Sequence, residues 1–366
     1  MTHKTIINHR YQLNETLGKG GMGIVYRAQD RLTGQSVALK YVTVEQSQLN
    51  FSNSTHGGDV LVALADEFRI LATLRHPNII SVLDYGFDTH TNQPFYTMEL
   101  LESAETILQA GKNLSLGQKI DLLMQVLQAL IYLHRRGIIH RDLKPDNILV
   151  VSNGDTKQVK VLDFGLAMHR DDNQLGISAV VVGTLAYIAP ETLTKGIFNE
   201  TSDLYSFGMI AYELLGGQYP FNNSSYQTLI YDALNKIPDV MHLDVPEPLT
   251  MVLMRLLSKE AEDRFDDGRD ILKVYAEYTQ QPHLYETIAV RESFLQGAEF
   301  VGRADEMALF TQKLDDAQAG VGSLVLVGGE SGVGKSRLLG EIRTQTLVRG
   351  VQTVNAQAIK EGGTPF

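Results

Sequence analysis

The chain has 366 residues, 43% of them hydrophobic and 20% charged, with no cysteine and a formal net charge of -11. This is an ordinary globular composition with length for about two domains, and it excludes collagen, a disulfide scaffold, wholesale disorder and any thiolate chemistry. The acidic balance argues against nucleic acid as a partner, because a negative surface repels phosphate backbones.

The amino terminus, MTHKTIINHR, lacks the apolar core of a secretory signal, and no window approaches 18 consecutive apolar residues. A cytoplasmic chain without a membrane segment is therefore expected. From Tyr11 to about Leu101 the short alternating runs YQLNETLG, GIVYRAQD, QSVALKYVTV and PFYTMELL predict antiparallel strands. One helix, roughly Leu61 to Leu74, interrupts them before the stop at HPN. Residues 45–59, rich in Ser, Asn, Gln and Gly, predict a solvated loop ahead of that helix.

From Leu116 onward the period becomes helical. Ser115 is placed to cap a helix whose apolar positions are Leu116, Ile120, Leu123, Leu127 and Leu130, and Gly137 supplies its stop. Helical patterns dominate to about Tyr278, so residues 11–278 read as an α+β unit, a small β-rich lobe followed by a larger α-rich one. Residues 279–299 show neither period and predict a linker. Beyond them, EFVGRADEMALFTQKL predicts a helix, and SLVLVGGESGVGKSRLLGEI a strand, a Gly-rich turn and another helix; a last strand is expected over roughly Val351 to Ile359.

Gly18, Gly20 and Gly23 spell G-x-G-x-x-G within LGKGGMGIVYRA, a pattern that by itself suits a dinucleotide-binding turn equally well. A dinucleotide turn needs a helix directly after the glycines, whereas IVYRAQD alternates like a strand, and Lys40 follows Gly23 by seventeen residues in VALK. The glycines then belong to a hairpin lid. Because Gly18, Gly20, Gly21 and Gly23 lack Cβ atoms, their backbone N–H groups and that of Lys19 among them can approach phosphate oxygens closely, and Lys40 adds a point charge to the α and β phosphates. Taken alone, the same residues would serve a tight hairpin beside a surface lysine.

Two further segments occur in order, HRDLKPDN at 140–147 and, with Asp163 sixteen residues after Asn147, VLDFGLA at 161–167. With them, residues 11–278 resemble the protein-kinase family, specifically the eukaryotic-type (Hanks-type) Ser/Thr kinases of bacteria. The resemblance implies a bilobal protein-kinase fold and transfer of the ATP γ-phosphoryl group, with Mg2+, to Ser/Thr hydroxyls of protein substrates. It implies Asp142 as catalytic base, Lys144 as the lysine that steadies the phosphoryl group, and Asn147 and Asp163 as metal ligands, hard oxygen donors for a hard cation. Glu67, nine residues before His76, matches the glutamate that pairs with Lys40, with Asp66 beside it as the other candidate.

By the same resemblance Val25, Ala38 and Leu149 would sandwich adenine, Met98 would gate the pocket behind it, and Glu99 to Leu101 would form the hinge. Val82, Leu71, His140 and Phe164 would stack as a spine. Glu191 of IAPE is expected to pair with Arg264 of EDRF, and Asp203 of SDLYSFG to hold the backbone of the catalytic segment; Tyr205 stands where the family usually has Trp. Thr184 matches the threonine that contacts the catalytic aspartate in Ser/Thr kinases. Ser178 is the regulatory candidate, because Arg141 beside the base could receive a phosphate on the loop between Gly165 and Ala189. Autophosphorylation would pair two copies as a homodimer. The alternative to an active enzyme is a kinase-fold scaffold that regulates the region downstream of it.

That downstream region carries a second phosphate motif. Gly329, Gly334, Lys335 and Ser336 satisfy G-x-x-x-x-G-K-[ST] after the apolar run LVLV, so that backbone N–H groups would cradle phosphates, Lys335 would reach the β and γ phosphates and Ser336 would bind magnesium. With EFVGRADE upstream, residues 300–366 resemble AAA-like and STAND-type regulatory ATPases. No acidic Walker B strand occurs in these residues, so they are expected to be an incomplete P-loop domain of a longer signalling protein, without hydrolysis.

Overall fold

The computed structural model describes residues 5–20, 23–42, 71, 74–91, 93–154, 156–163, 185–222, 225–280 and 302–329, together with 333–335, 338–339, 341–342, 346 and 351. The predicted strands are present, plus two more, in a six-stranded antiparallel sheet: β1 (Ile6–Ile7), β2 (Tyr11–Gly20), β3 (Gly23–Asp30), β4 (Ser36–Val42), β5 (Val82–Phe87) and β6 (Pro94–Glu99), in the order β1-β2-β3-β4-β6-β5.

Period-two alternation gives β4 two different faces. Val37, Leu39 and Tyr41 pack into a small outer cluster with Ile7, Tyr11, Ala28 and Phe95. Ala38 and Val42 point the other way, into the main core, and Lys40 lies between them on that inner face. The β2–β3 hairpin closes tightly, with Gly20 opposite Gly23. Gly23 has φ +136° and a Cβ there would lie 1.8 Å from the Tyr41 carbonyl oxygen, so only glycine fits. The amino-terminal corner is locked by Arg10, whose guanidinium takes both oxygens of Asp30 (3.0 and 2.8 Å) and one of Asp84 (2.5 Å).

The larger lobe is built on helices. After α1 (Ile107–Gly111), helix α2 (Leu116–His134) starts with a reciprocal cap between Ser115 and Gln118 and is buried almost continuously from Ile120 to Leu133. Around it lie α3 (Pro190–Lys195), α4 (Glu200–Gly216), α5 (Tyr226–Asn235), α6 (Glu247–Leu256) and α7 (Gly268–Thr279). Gly137, Gly196 and Gly217 adopt left-handed φ after α2, α3 and α4, the conformation that ends a helix.

Two findings depart from the sequence-based expectation. The helical stretch after α2 is interrupted by the hairpin of β8 (Ile148–Asn153) and β9 (Thr156–Val161), which β7 (Glu105–Thr106), just ahead of α1, extends to a three-stranded sheet. The β-branched run Ile148, Val150, Val151, Val159 and Val161 favours this pairing. The expected strand over LVLV at 324–327 is not formed: residues 321–329 carry no regular structure, and Leu324 and Leu326 are each 87% exposed. An isolated apolar run has no ladder to join, and among the described residues no strand lies beside it. The helix predicted just before it is present as α8 (Ala304–Gln318). The helix over Leu61 to Leu74, apart from helical Leu71 and irregular Leu74, and the final strand over Val351 to Ile359, apart from Val351, lie outside the described residues. Among the described residues no helix is long and apolar enough to cross a membrane.

Candidate active site

The site is assembled where the inner face of the first sheet meets the β8–β9 hairpin and the segment after α2. Antiparallel register sets Lys40 opposite Tyr96 and Ala38 opposite Met98, so that one face presents Ala38, Lys40, Tyr96 and Met98 together. Ala38 and Met98 are buried and Val25 packs against the same core from β3, while Leu149 is half-buried on β8, opposite Lys160. At the end of β6, where the hinge is expected, the Glu99 carboxylate accepts the Ser81 backbone N–H at 3.0 Å and the Lys160 ammonium at 2.8 Å. Leu101 and Leu100 pack at the edge of the core beside it.

Residues 140–147 form a compact polar loop. Lys144 Nζ donates to Asp142 Oδ2 at 2.8 Å, and the Asn147 amide nitrogen donates to the same oxygen at 2.9 Å and to the Asp142 carbonyl at 2.7 Å. Asp142 Oδ1 is buried with no hydrogen-bond partner among the described residues. A buried carboxylate oxygen left without a donor is costly unless something completes it, which makes it the natural acceptor for an incoming hydroxyl.

The loop is held from below by one carboxylate. Asp203, buried on α4, accepts the backbone N–H of His140 at 2.8 Å and of Arg141 at 3.0 Å, and also meets His134 Nε2 at 2.8 Å. Arg141 sits at φ +67°, a left-handed turn that this grip on consecutive N–H groups sustains. His140 is fully buried, bonded through Nε2 to the Leu162 carbonyl at 3.0 Å, and burial pushes its pKa down. It is a packed, hydrogen-bonded core histidine.

Asp163 comes just after the end of β9, also in the left-handed region at φ +57°. Lys40 Nζ lies 2.7 Å from Asp163 Oδ1, and the Tyr96 hydroxyl donates to that same oxygen at 2.8 Å. Among the described residues the Lys40 ammonium is paired with Asp163; Glu67 lies outside them. Tyr96 was not among the sequence candidates. Its signal was available in FYTM: position 96 shares a strand face with Met98 two residues on, and its phenol is a polar tip on an otherwise apolar strand. Burial, then the Asp163 charge, hold the Tyr96 phenol far above its ordinary pKa, so it remains a donor.

Gly18, Lys19 and Gly20 lie on β2 of the hairpin lid, opposite Val25, Ile24 and Gly23. Gly21, Phe164, Ser178, Thr184 and Ser336 lie outside the described residues. Of the spine candidates, Leu71, Val82 and His140 are buried. In the second phosphate motif, Lys335 Nζ donates to the Gly329 carbonyl at 2.8 Å, and Arg303 donates to the Val333 carbonyl at 3.0 Å. Gly334 has φ +93°, a conformation glycine alone adopts readily.

The family model described as the protein kinase domain matches residues 11–276. The chain belongs to the protein kinase family. A second model, the AAA ATPase domain, matches residues 299–365. Among relatives, the DNA damage-responsive serine/threonine-protein kinase RqkA of Deinococcus radiodurans is 35% identical over 283 residues, covering 75% of this chain and 40% of that protein. Serine/threonine-protein kinase Pkn1 of Myxococcus xanthus is 36% identical over 261 residues, covering 70% of this chain and 36% of that protein. The chain spans about two fifths of the length of these relatives. The crystal structure of the Mycobacterium tuberculosis PknI kinase domain, a double mutant, superposes with a TM-score of 0.52 at 23% identity over 76% of this chain and 99% of that one, which establishes the bilobal kinase fold. Membership of the family implies ATP and a divalent metal as general requirements, and protein substrates.

Proposed function

We propose that residues 11–278 form a Mg2+- and ATP-dependent protein Ser/Thr kinase module, joined through residues 279–299 to a P-loop ATPase region, within a larger signalling protein. The observation that carries this reading is the convergence of Asp142, Lys144, Asn147, Lys40 and Asp163, with one oxygen of Asp142, unpartnered among the described residues, left to receive a substrate hydroxyl.

The donor set fits magnesium. The Asn147 amide nitrogen is engaged by Asp142, which leaves Oδ1 as its ligating atom, and both Lys40 and Tyr96 meet Asp163 at Oδ1, which leaves Oδ2. Two hard oxygens suffice, because magnesium takes its remaining ligands from phosphates and water rather than from an all-protein cage. The absence of any cluster of three His, Cys, Asp or Glu side chains among the described residues is in keeping with that. When bound, the ion neutralises negative charge on the phosphates.

The chain supplies the rest. Asp142, oriented by Asn147 and by the grip of Asp203 on its loop, would accept the hydroxyl proton at Oδ1 as the hydroxyl oxygen bonds to the γ-phosphorus and the bond from that phosphorus to the β–γ bridging oxygen breaks, releasing ADP. Lys144, already at Asp142, adds positive charge where charge develops. Lys40 holds the α and β phosphates, and the N–H groups of the β2–β3 hairpin close over them. Little covalent chemistry is asked of the protein; orientation and electrostatics do the work. Ser178 serves as the regulatory residue of the loop between Gly165 and Ala189, and Thr184 as its contact to the catalytic aspartate.

The test is autophosphorylation of this chain beside Asp142→Asn, with generic protein substrates included and phosphosites mapped. Phosphate on Ser or Thr, lost in the variant, supports the reading; equal incorporation by Asp142→Asn overturns it.

A further inference from the structure

Lys40 has two tasks at the site. It pairs with Asp163 in this structure, and as part of a kinase site it must also hold nucleotide phosphates. A lysine is a point charge on a flexible stem, so it can exchange one oxygen for another, but when it does so Asp163 loses a partner. The loss matters because Asp163 sits at φ +57°. A non-glycine residue in that region depends on its surroundings to hold it there.

Tyr96 is the second partner, and it is of a different kind. It stands on a central strand, between β4 and β5, paired with Lys40 on one side and Tyr85 on the other, and the residue is 2% exposed. Its hydroxyl lies 2.8 Å from Asp163 Oδ1, and its two side-chain torsions leave it little freedom to leave that oxygen when the lysine departs. Both donors fall on the same oxygen. A carboxylate anchored through one oxygen presents the other in a set direction.

We infer that Tyr96 is a positioning residue for metal binding: its hydroxyl fixes the Asp163 carboxylate through Oδ1 so that Oδ2 is held ready for the divalent cation while Lys40 moves to the phosphates. This rests on the kinase reading of the site. Donors that orient a metal ligand from behind commonly matter about 10- to 100-fold in metal affinity.

The experiment compares the full chain with Tyr96→Phe, with Tyr96→Met, and with Tyr41→Phe. The last removes a comparable buried Tyr–Asp bond, 2.8 Å from the Tyr41 hydroxyl to Asp88 on the far face of the sheet, and controls for general loosening of the lobe. Mn2+ is titrated against each protein with a non-hydrolysable ATP analogue, free Mn2+ being read by its electron paramagnetic resonance signal, and the Mg2+ dependence of phosphoryl transfer is measured separately. Both Tyr96 variants should bind Mn2+ roughly tenfold more weakly than the unaltered chain and show a Mg2+ KM raised by a similar factor, with kcat at saturating Mg2+ within about twofold. Tyr41→Phe should match the unaltered chain. Mn2+ affinity unchanged in whichever Tyr96 variant folds, or equally weakened in Tyr41→Phe, overturns the inference. Because the Mn2+ titration does not depend on turnover, an unaltered chain that transfers no phosphate would refute the kinase reading while this measurement still decides the role of Tyr96.

Discussion

Arg264 and Glu191 form a two-pronged ion pair, Nη1 to Oε1 at 2.7 Å and Nη2 to Oε2 at 2.8 Å, with the arginine 1% exposed. The remaining donors are also engaged: Nε on the Ser258 carbonyl, Nη1 on that of Thr201 and Nη2 on that of Lys259. The residues joined are 73 apart in sequence, so the pair ties the start of α3 to the segment before α7. Glu191→Gln keeps the shape and strands the buried guanidinium. It should destabilise the larger lobe by about 3–5 kcal/mol, measured by chemical denaturation. A midpoint shifted by no more than a surface ion pair would produce, under ~1 kcal/mol, would refute the structural role of this pair.

At the catalytic centre, Lys40→Met removes the ammonium 2.7 Å from Asp163, and Asp163→Asn removes an anionic oxygen donor. Each should lower the rate of phosphoryl transfer at least about a thousandfold, equivalent to ~4 kcal/mol of barrier. Labelled phosphate incorporated at a near-normal rate by either purified variant would contradict the assignment.

His76 supplies a pH dependence of stability. It is buried, accepts the Asn78 N–H through Nδ1 at 3.1 Å and lies against the Tyr132 ring at 4.9 Å. Burial, and then the charge of Lys160, push its pKa down from 6.5 to about 3. The unfolded chain therefore binds more protons between those values, so the contribution of His76 is complete above about pH 6.5 and is lost as pH falls towards about 3. His76→Asn, whose side-chain oxygen can still accept from Asn78, should flatten the acid side of the stability profile by an amount on the order of a few kcal/mol. Parallel profiles for the two proteins across that window would dismiss the effect.

Glycine positions in two helices should respond in opposite directions. A Cβ added at Gly208 on α4 would come 2.8 Å from Leu256 Cβ and 3.1 Å from Leu257, where α4 packs on α6. Nothing lies within 4 Å of the corresponding position at Gly117 on α2. Gly208→Ala should destabilise by about 1–3 kcal/mol through overpacking, and Gly117→Ala should stabilise by up to about 1 kcal/mol through helix propensity. Thermal melts of both variants, with shifts of the same sign, would count against this packing.

The sequence by itself determined the family, the strands around the glycine motif, the cap and stop of α2, and the positions of Asp142, Asn147 and Asp163. These are local: a period, a cap and an ordered motif are written in consecutive residues and need no distant partner. What only the tertiary structure decided were relations between residues far apart. Lys40 and Asp163 meet across 123 positions, and Tyr96 joins them across 67, through strand register and the fold of β9, neither of which a linear pattern encodes. The same reason explains the run LVLV: its apolar residues predict a strand, but a strand is a pairing, and with none beside it among the described residues Leu324 and Leu326 stay exposed.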